Sequence, residues 1–88
     1  MLERQYKIID RAGLHARPAT KLVQTANKFK CTITLEYKDR EVNLRSIVGL
    51  MTLGVVAGEH IKIKFEGTDE VEAIEFIEST LKKEGICE

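Results

Sequence analysis

The sequence predicts an α+β fold in which a four-stranded antiparallel sheet is covered on one face by three helices, in the chain order βαββαβα. Three observations predict it. Some segments alternate apolar and polar residues, as strands with one buried face do. Others carry apolar residues three and four positions apart, which indicates amphipathic helices. The chain shows no repeat, linker or low-complexity stretch, so we expect residues 1–88 to form a single domain.

The first half of the chain predicts a strand, a helix and a hairpin. Residues 2–9 form the strand, with Tyr6 and Ile8 on one face. Residues 16–27 form a helix whose apolar stripe would face the core: Ala19, Leu22, Val23 and Ala26. Residues 32–44 form a hairpin that turns at Lys38-Asp39-Arg40, because aspartate tolerates left-handed backbone angles.

The second half predicts two helices on either side of a strand. Ser46 caps a short helix over residues 47–53. The strand follows from the alternation of Ile61, Ile63 and Phe65 with charged residues. Asp69 and Glu72 fit a capping box at the start of the last helix, which would end near Gly85. The buried stripe of that helix is predicted to contain Val71, Ile74, Ile77 and Leu81.

Composition excludes several classes of protein. Fourteen Lys and Arg balance fourteen Asp and Glu, which argues against a general polyanion binder. Cys31 and Cys87 form no C-x-x-C pair, so neither a disulfide framework nor a zinc site is expected. The N-terminal residues are too charged for a signal peptide, and no stretch approaches the ~20 apolar residues of a membrane span. We expect a reduced cytoplasmic protein.

Residues 13–19 (GLHARPA) carry the candidate chemistry. Gly13 allows a sharp turn, and Pro18 is tolerated in a helix only in its first turn, so His15 falls where the helix begins. The free N–H groups and the positive dipole end of a helix attract anions such as phosphate. Arg17 can add a charge-assisted contact, and a neutral imidazole is a good nucleophile near neutral pH.

A purely structural histidine fits the same spacing, and on spacing alone it fits better. One histidine with one arginine is a weak signal, and no second histidine or carboxylate is expected to complete a catalytic set with His15. His60, the other histidine, precedes a strand and is interpreted as a turn residue. We therefore expect no metal site and no cofactor.

Two segments resemble a known family. Residues 13–19 resemble the active-site signature of the HPr family, the histidine-containing phosphocarriers of the phosphoenolpyruvate-dependent sugar phosphotransferase system. Residues 42–54 (VNLRSIVGLMTLG) resemble the regulatory-serine segment of its low-GC Gram-positive type. The resemblance covers the whole chain and implies the family's open-faced β-sandwich. Three departures, none of which concerns the phosphoryl chemistry, are Val48 for a common methionine, Arg45 for a lysine, and Lys38-Asp39-Arg40 for an Asn-Gly turn.

The resemblance implies a role for each site residue. His15 accepts a phosphoryl group on its δ1 nitrogen, Arg17 stabilises that group, and the backbone of Ala16 and Arg17 binds it. Enzyme I is the implied donor and the A domains of sugar-specific enzyme II are the acceptors, so the chain is a stoichiometric carrier, not an enzyme. Ser46 matches the site modified by HPr kinase/phosphorylase, whose product is a partner of catabolite control protein A in carbon catabolite repression.

The resemblance also implies a docking surface. The partner-binding residues would be Ile47, Val48, Met51, Lys21 and Gln24. A basic rim suited to acidic partners would contain Arg17, Lys21, Lys28 and Arg45. Core packing of the apolar residues and an ordinary solvated helix face are the alternatives. A monomer that binds neither nucleic acid nor membrane is expected.

Two other functions remain open from the sequence. The chain could be a regulatory binding module that works through Ser46, with His15 little used. It could also be a small hydrolase of the acylphosphatase kind, which has a similar size and layout. That activity needs an arginine and an asparagine around a phosphate-cradling loop, and the sequence offers no such loop.

Overall fold

Seven elements form the predicted α+β sandwich, in the predicted order. The computed structural model describes all 88 residues. The elements are β1 (Leu2–Lys7), α1 (Ala16–Ala26), β2 (Thr32–Tyr37), β3 (Arg40–Asn43), α2 (Ile47–Thr52), β4 (His60–Glu66) and α3 (Glu70–Lys83). The sheet has the order β1-β4-β2-β3, and every neighbouring pair is antiparallel. None of the three helices combines the length and the apolar content needed to cross a bilayer.

The core lies between one face of the sheet and the helices. Every second residue of the central strands is buried, including Ile33, Leu35, Ile61, Ile63 and Phe65. The predicted stripe of α1 is buried against them, and α1 packs against both α2 and α3. The other face of the sheet is polar: Lys64 Nζ lies 2.8 Å from Glu36 and 3.3 Å from Glu41. The prediction of a sheet with one wet face is confirmed.

Two turn predictions need correction. Tyr37 pairs with Arg40, so the hairpin turn consists only of Lys38 and Asp39, at φ angles of 48° and 64°. These left-handed angles match the twist of the flanking strands, which is why two-residue hairpins favour them. His60 is the first residue of β4, not a turn residue, and it pairs with Lys7 of β1.

The predicted capping box of α3 is wrong. Asp69 is the N-cap residue but makes no side-chain bond to its own helix. Its carboxylate instead accepts hydrogen bonds from the backbone N–H groups of Lys30 and Cys31, at 2.7 and 2.9 Å. The loop before β2 therefore uses the carboxylate that the sequence assigned to α3. These bonds lower the pKa of Asp69, because they stabilise the ionised carboxylate.

The buried stripe of α3 also differs in one position. Val71 is 58% exposed, whereas Ala73 is fully buried together with Ile77 and Leu81. Val71 lies in the first turn of the helix, where the helical spacing of the stripe predicts burial but no sheet or helix covers the side chain. The prediction for Val71 is wrong, and the stripe is otherwise confirmed.

Arg45 stabilises the fold and does not belong to the predicted basic rim. Its Nη2 donates hydrogen bonds to the carbonyl oxygens of Ala26, Phe29 and Cys31, at the C-terminal end of α1 and just beyond it. The last carbonyls of a helix lack partners within the helix, so the guanidinium satisfies groups that would otherwise need water. The prediction that Arg45 faces acidic partners is wrong for this reason.

Both cysteines are buried and unpaired. Cys31 and Cys87 are 3% and 2% exposed. Burial raises the pKa of the Cys31 thiol to about 11 and that of Cys87 to about 12. Because the thiolate is the reactive form, neither side chain is a nucleophile in the folded protein.

Candidate functional site

His15 lies at the N-cap of α1, and its imidazole is not used for capping. The residue is extended, with φ −97° and ψ −167°, and its carbonyl oxygen accepts a hydrogen bond from Ala19 N at 3.0 Å. The side chain makes no bond to the first turn of the helix and is 38% exposed. A capping role for this imidazole is therefore excluded, and a partner can reach the ring.

Gly13 fixes the loop that presents His15. Its φ of +69° is strained for any residue with a side chain, and a Cβ at this position would collide with the Val55 carbonyl oxygen. Leu14 N donates to that same carbonyl at 3.0 Å, and the Leu14 side chain is buried. The chain just before His15 is thus held between its own turn and the loop that follows α2.

The first turn of α1 leaves backbone donors free next to His15. The N–H groups of Ala16 and Arg17 have no hydrogen-bond partner, and Pro18 has no N–H to offer. This end of an 11-residue helix also carries the positive end of the helix dipole. The predicted phosphate-binding backbone therefore has the free donors that an anion needs.

A carboxylate that the sequence analysis overlooked lies beside His15. Asp10 Oδ1 is 3.8 Å from His15 Nε2, and Asp10 Oδ2 accepts a hydrogen bond from Arg17 Nη2 at 2.8 Å. Arg17 Nη1 also lies 3.9 Å from Glu84, just after α3. The expectation that no carboxylate joins His15 is wrong, although the loop from Asp10 to His15 was short enough to indicate it. Nothing local in the sequence indicated Glu84.

Ser46 is the N-cap of α2, as predicted. Its Oγ accepts a hydrogen bond from the backbone N–H of Gly49 at 3.0 Å. The side chain is only partly buried, so it lies at the surface at the start of a six-residue helix. An added phosphate here would meet the first N–H groups of α2 and stand next to Ile47.

The predicted partner-binding residues fall on two surfaces. Ile47, Val48 and Met51 are 38%, 73% and 45% exposed and form what we call the α2 patch. Leu50 alone turns from α2 into the core. Lys21 and Gln24 border a groove of about 290 Å³ that is lined by α1, α3, Lys28 just after α1 and Glu84 just after α3, and by no residue of α2. Lys28 and Lys83 line the same groove and make it basic.

No three His, Cys, Asp or Glu side chains lie together in an arrangement that would hold a metal ion. The groups gathered at the site are an imidazole, a guanidinium, two carboxylates and free backbone amides. Such a set can accept and hold an anionic group at His15.

Comparison with known proteins identifies the family. Residues 2–83 match the family described as the PTS HPr component phosphorylation site. HPr from Thermoanaerobacter tengcongensis is 43% identical, with a TM-score of 0.89 over 94% of this chain and 93% of that chain. A histidine-containing phosphocarrier protein of Mycoplasma is 33% identical, with a TM-score of 0.95 over 99% of both chains.

A third relative is Crh, a catabolite-repression protein of Bacillus subtilis that forms a swapped dimer in its crystal. It is 36% identical, with a TM-score of 0.74 over 94% of this chain and 95% of that chain. The organisms of these relatives agree with the expected low-GC Gram-positive type. The family match and the shared fold lead to one conclusion: the chain belongs to the HPr family of phosphocarrier proteins of the phosphotransferase system.

Proposed function

We propose that this chain accepts a phosphoryl group from phospho-enzyme I on His15 Nδ1 and donates it to the A domains of sugar-specific enzyme II. The observation that carries the proposal is the position of the imidazole. It is partly exposed, free of any capping bond, and adjacent to the free N–H groups of Ala16 and Arg17. Arg17 is close enough to share the Asp10 carboxylate with His15.

The strength of these contacts suits a carrier. A helix N-terminus typically stabilises an anion by ~0.3–1 kcal/mol, and a hydrogen bond to a charged group contributes ~1.5–3 kcal/mol. Such contributions hold the phosphoryl group between two encounters and still allow it to leave. His15 is phosphorylated and regenerated in each cycle, so the protein acts as a stoichiometric carrier that itself catalyses no turnover.

Two surfaces of the molecule support recognition by other proteins. The α2 patch exposes apolar side chains that the fold leaves uncovered, and small exposed patches of this kind are typical of partner sites. The groove between α1 and α3 adds Lys21, Lys28 and Lys83, which would attract acidic partner surfaces and speed encounter. One copy of the chain presents all of these groups, so we propose that the carrier is a monomer. We also propose that it works in the cytoplasm.

A pair of valine substitutions tests the docking part of the proposal. Val48→Glu places a charge in the α2 patch, whereas Val71→Glu places one at another exposed valine, in the first turn of α3. Val48→Glu is expected to slow label transfer from phosphoenolpyruvate and enzyme I by about tenfold or more, because an apolar contact then loses its complementarity. Val71→Glu should leave the rate unchanged. Equal rates for both variants would remove the α2 patch from the proposal.

Regulation at Ser46 is a second proposed function. It is supported by the partly exposed N-cap position of the serine and by the similarity to Crh. A phosphate on Ser46 would place negative charge next to the α2 patch and so alter the surface that enzyme I contacts. It would also create the form recognised by catabolite control protein A.

The regulatory proposal is tested with HPr kinase/phosphorylase and ATP. The chain should gain one acid-stable phosphoryl group, and Ser46→Ala should gain none. Ser79→Ala, which removes an exposed hydroxyl on α3, is the matched control and should be modified like the unaltered protein. Modification that persists in Ser46→Ala would place the regulatory site elsewhere.

A further inference from the structure

The Asp10 carboxylate joins the two side chains on which the proposed function depends. One oxygen, Oδ1, lies 3.8 Å from His15 Nε2, and the other, Oδ2, lies 2.8 Å from Arg17 Nη2. The Asp10 side chain is 13% exposed, compared with 38% for His15 and 53% for Arg17. The anion is therefore the most buried member of the cluster, and water screens it less than the groups that it faces.

The backbone fixes the position of this carboxylate. Ala12 N donates a hydrogen bond to Asp10 Oδ1 at 3.0 Å, and Gly13 N donates to the Asp10 carbonyl oxygen at 2.8 Å. The Asp10 side chain thus forms an Asx-turn with the backbone two residues further on, a conformation that asparagine adopts as readily as aspartate. The carboxylate is in place before any phosphoryl group arrives.

We infer that Asp10 is a positioning residue that holds the neutral His15 ring with its proton on Nε2 and its lone pair on Nδ1. The distance of 3.8 Å is too long for a hydrogen bond, so the carboxylate acts through its negative charge, which favours an N–H on the nitrogen that it faces and disfavours a lone pair there. In serine proteases an aspartate fixes the tautomer of the reactive histidine through a direct hydrogen bond, and Asp10 would do so from a longer distance through its charge. The inference rests on the proposed function, in which Nδ1 is the nucleophile.

The transfer step shows why the tautomer matters. The Nδ1 lone pair forms the new N–P bond, and the bond from phosphorus to the donor atom breaks, with its electron pair leaving on the donor. The Nε2 proton stays on the ring, so the imidazole becomes a phosphorylated cation. The Asp10 carboxylate faces the nitrogen that carries this proton and stabilises the developing charge. In the other tautomer, Nδ1 carries the proton and has no lone pair to offer.

Asp10→Asn separates the effect of the negative charge from that of the turn, because it removes the charge and keeps the turn. The asparagine oxygen can still accept from Ala12 N, so the loop keeps its hydrogen bond while the anion is lost. Asp39→Asn, in the exposed hairpin turn, is the matched control because it removes the same charge from a residue that pairs with neither His15 nor Arg17. Asp10→Glu restores the charge on a longer side chain and tests for partial rescue.

The test is nitrogen-15 NMR of the His15 ring in unphosphorylated protein, at a pH of about 8.5, where an ordinary imidazole is neutral. We expect the unaltered protein and Asp39→Asn to carry the proton on Nε2. In Asp10→Asn the share of the Nδ1–H tautomer should rise by about threefold or more. A tautomer ratio that is the same in Asp10→Asn, or an unaltered ring protonated mainly on Nδ1, would overturn the inference.

The kinetic readout separates this inference from the proposed function. With enzyme I and phosphoenolpyruvate, Asp10→Asn should still accept one phosphoryl group, but about tenfold more slowly. An unaltered protein that accepts none contradicts the proposed function, whereas the NMR result judges Asp10 without any phosphoryl transfer. A normal rate together with a normal tautomer ratio would leave Asp10 as a turn residue only.

Discussion

At the scale of single residues, Arg17 is an exposed cation for which we propose a contact with the phosphoryl group. Its guanidinium is more than half exposed, yet it is paired with Asp10 and lies near Glu84. Exposed ion pairs contribute little to stability, typically ~0–1 kcal/mol. The arrangement therefore keeps a cation beside His15 without making the fold depend on it.

Arg17→Ala is expected to affect transfer far more than stability. Loss of a charge-assisted contact to the phosphoryl group, worth ~1.5–3 kcal/mol, should slow transfer from enzyme I by about 10- to 100-fold. The free energy of unfolding should fall by less than about 1 kcal/mol. Rapid-quench transfer rates and urea unfolding measure the two effects.

Arg11→Ala serves as the control, because Arg11 is an exposed arginine of the same loop that forms no ion pair. Arg11→Ala should change neither the rate of transfer from enzyme I nor the free energy of unfolding. An Arg17→Ala protein that unfolds more easily but transfers at a normal rate would make Arg17 a structural residue.

The sequence placed His15 correctly but did not reveal its environment. Gly13 and Pro18 act locally, so their effect on where α1 begins can be read from neighbouring residues alone. The contact of Asp10 with His15 depends on a turn whose geometry is set by Ala12 and Gly13. The sequence would be the same if the Asp10 carboxylate were exposed and made no contact, so the contact could not be predicted from it.

At the scale of the elements, Asp69 connects the start of α3 to the start of β2. Its carboxylate accepts from Lys30 N and Cys31 N, which are far away in the chain. The Cys31 side chain packs against Gly67, where a Cβ would have no room. This junction ties the start of the last helix to the loop before β2.

Asp69 makes the stability of the fold depend on pH. Its hydrogen bonds hold the pKa below the usual 3.8, so its contribution is fully present above that value and is lost as the pH falls through the lower, folded pKa. Asp69→Asn should be less stable at neutral pH, because an amide oxygen replaces two acceptor oxygens. The difference from the unaltered protein should shrink in acid, as followed by urea unfolding at a series of pH values.

Asp39→Asn, in the hairpin turn, replaces a carboxylate that accepts no hydrogen bond from a distant backbone group, and it should show no such loss of stability at neutral pH. An Asp69→Asn protein whose deficit stays constant from neutral pH to strong acid would show that the ionised carboxylate is not what holds the junction.

Element boundaries were largely predictable because periodicity and caps are local. α1 and α2 both begin at the predicted residue and end one residue before the predicted one. The errors arose where an element meets a distant one: Val71 lacks the cover that its spacing implied, and Arg45 turns to the end of α1. A residue pattern indicates the direction in which a side chain points but not which residues it meets in the folded protein.

At the scale of the whole molecule, hydrogen bonds join three segments next to the loop that presents His15: the end of β1, the loop before β4 and the C-terminal residues. Ile9 N donates to Ile86 O near the C-terminus, and Gly58 N donates to Ile8 O. Together with the bond from Leu14 N to Val55 O, these contacts join the residues after β1 to the loop before β4 and to the C-terminal residues after α3. The site thus rests on the folded core, although it is built from a short loop.

The fold class was predictable from alternation, but the strand order was not. Alternating residues indicate which face of a strand is buried and leave open which strands are partners. The sequence therefore predicted an antiparallel sheet and could not place β4 between β1 and β2. That placement brings the loop after β1 next to the loop before β4, where Val55 meets Gly13.

The most direct test of the account is the mass of the intact protein after incubation with phosphoenolpyruvate and enzyme I, read before and after mild acid. We predict the gain of one acid-labile phosphoryl group, which His15→Ala fails to gain while keeping the fold. Absence of that gain in the unaltered protein, or its persistence in His15→Ala, would contradict the assignment of His15 as the phosphoryl carrier.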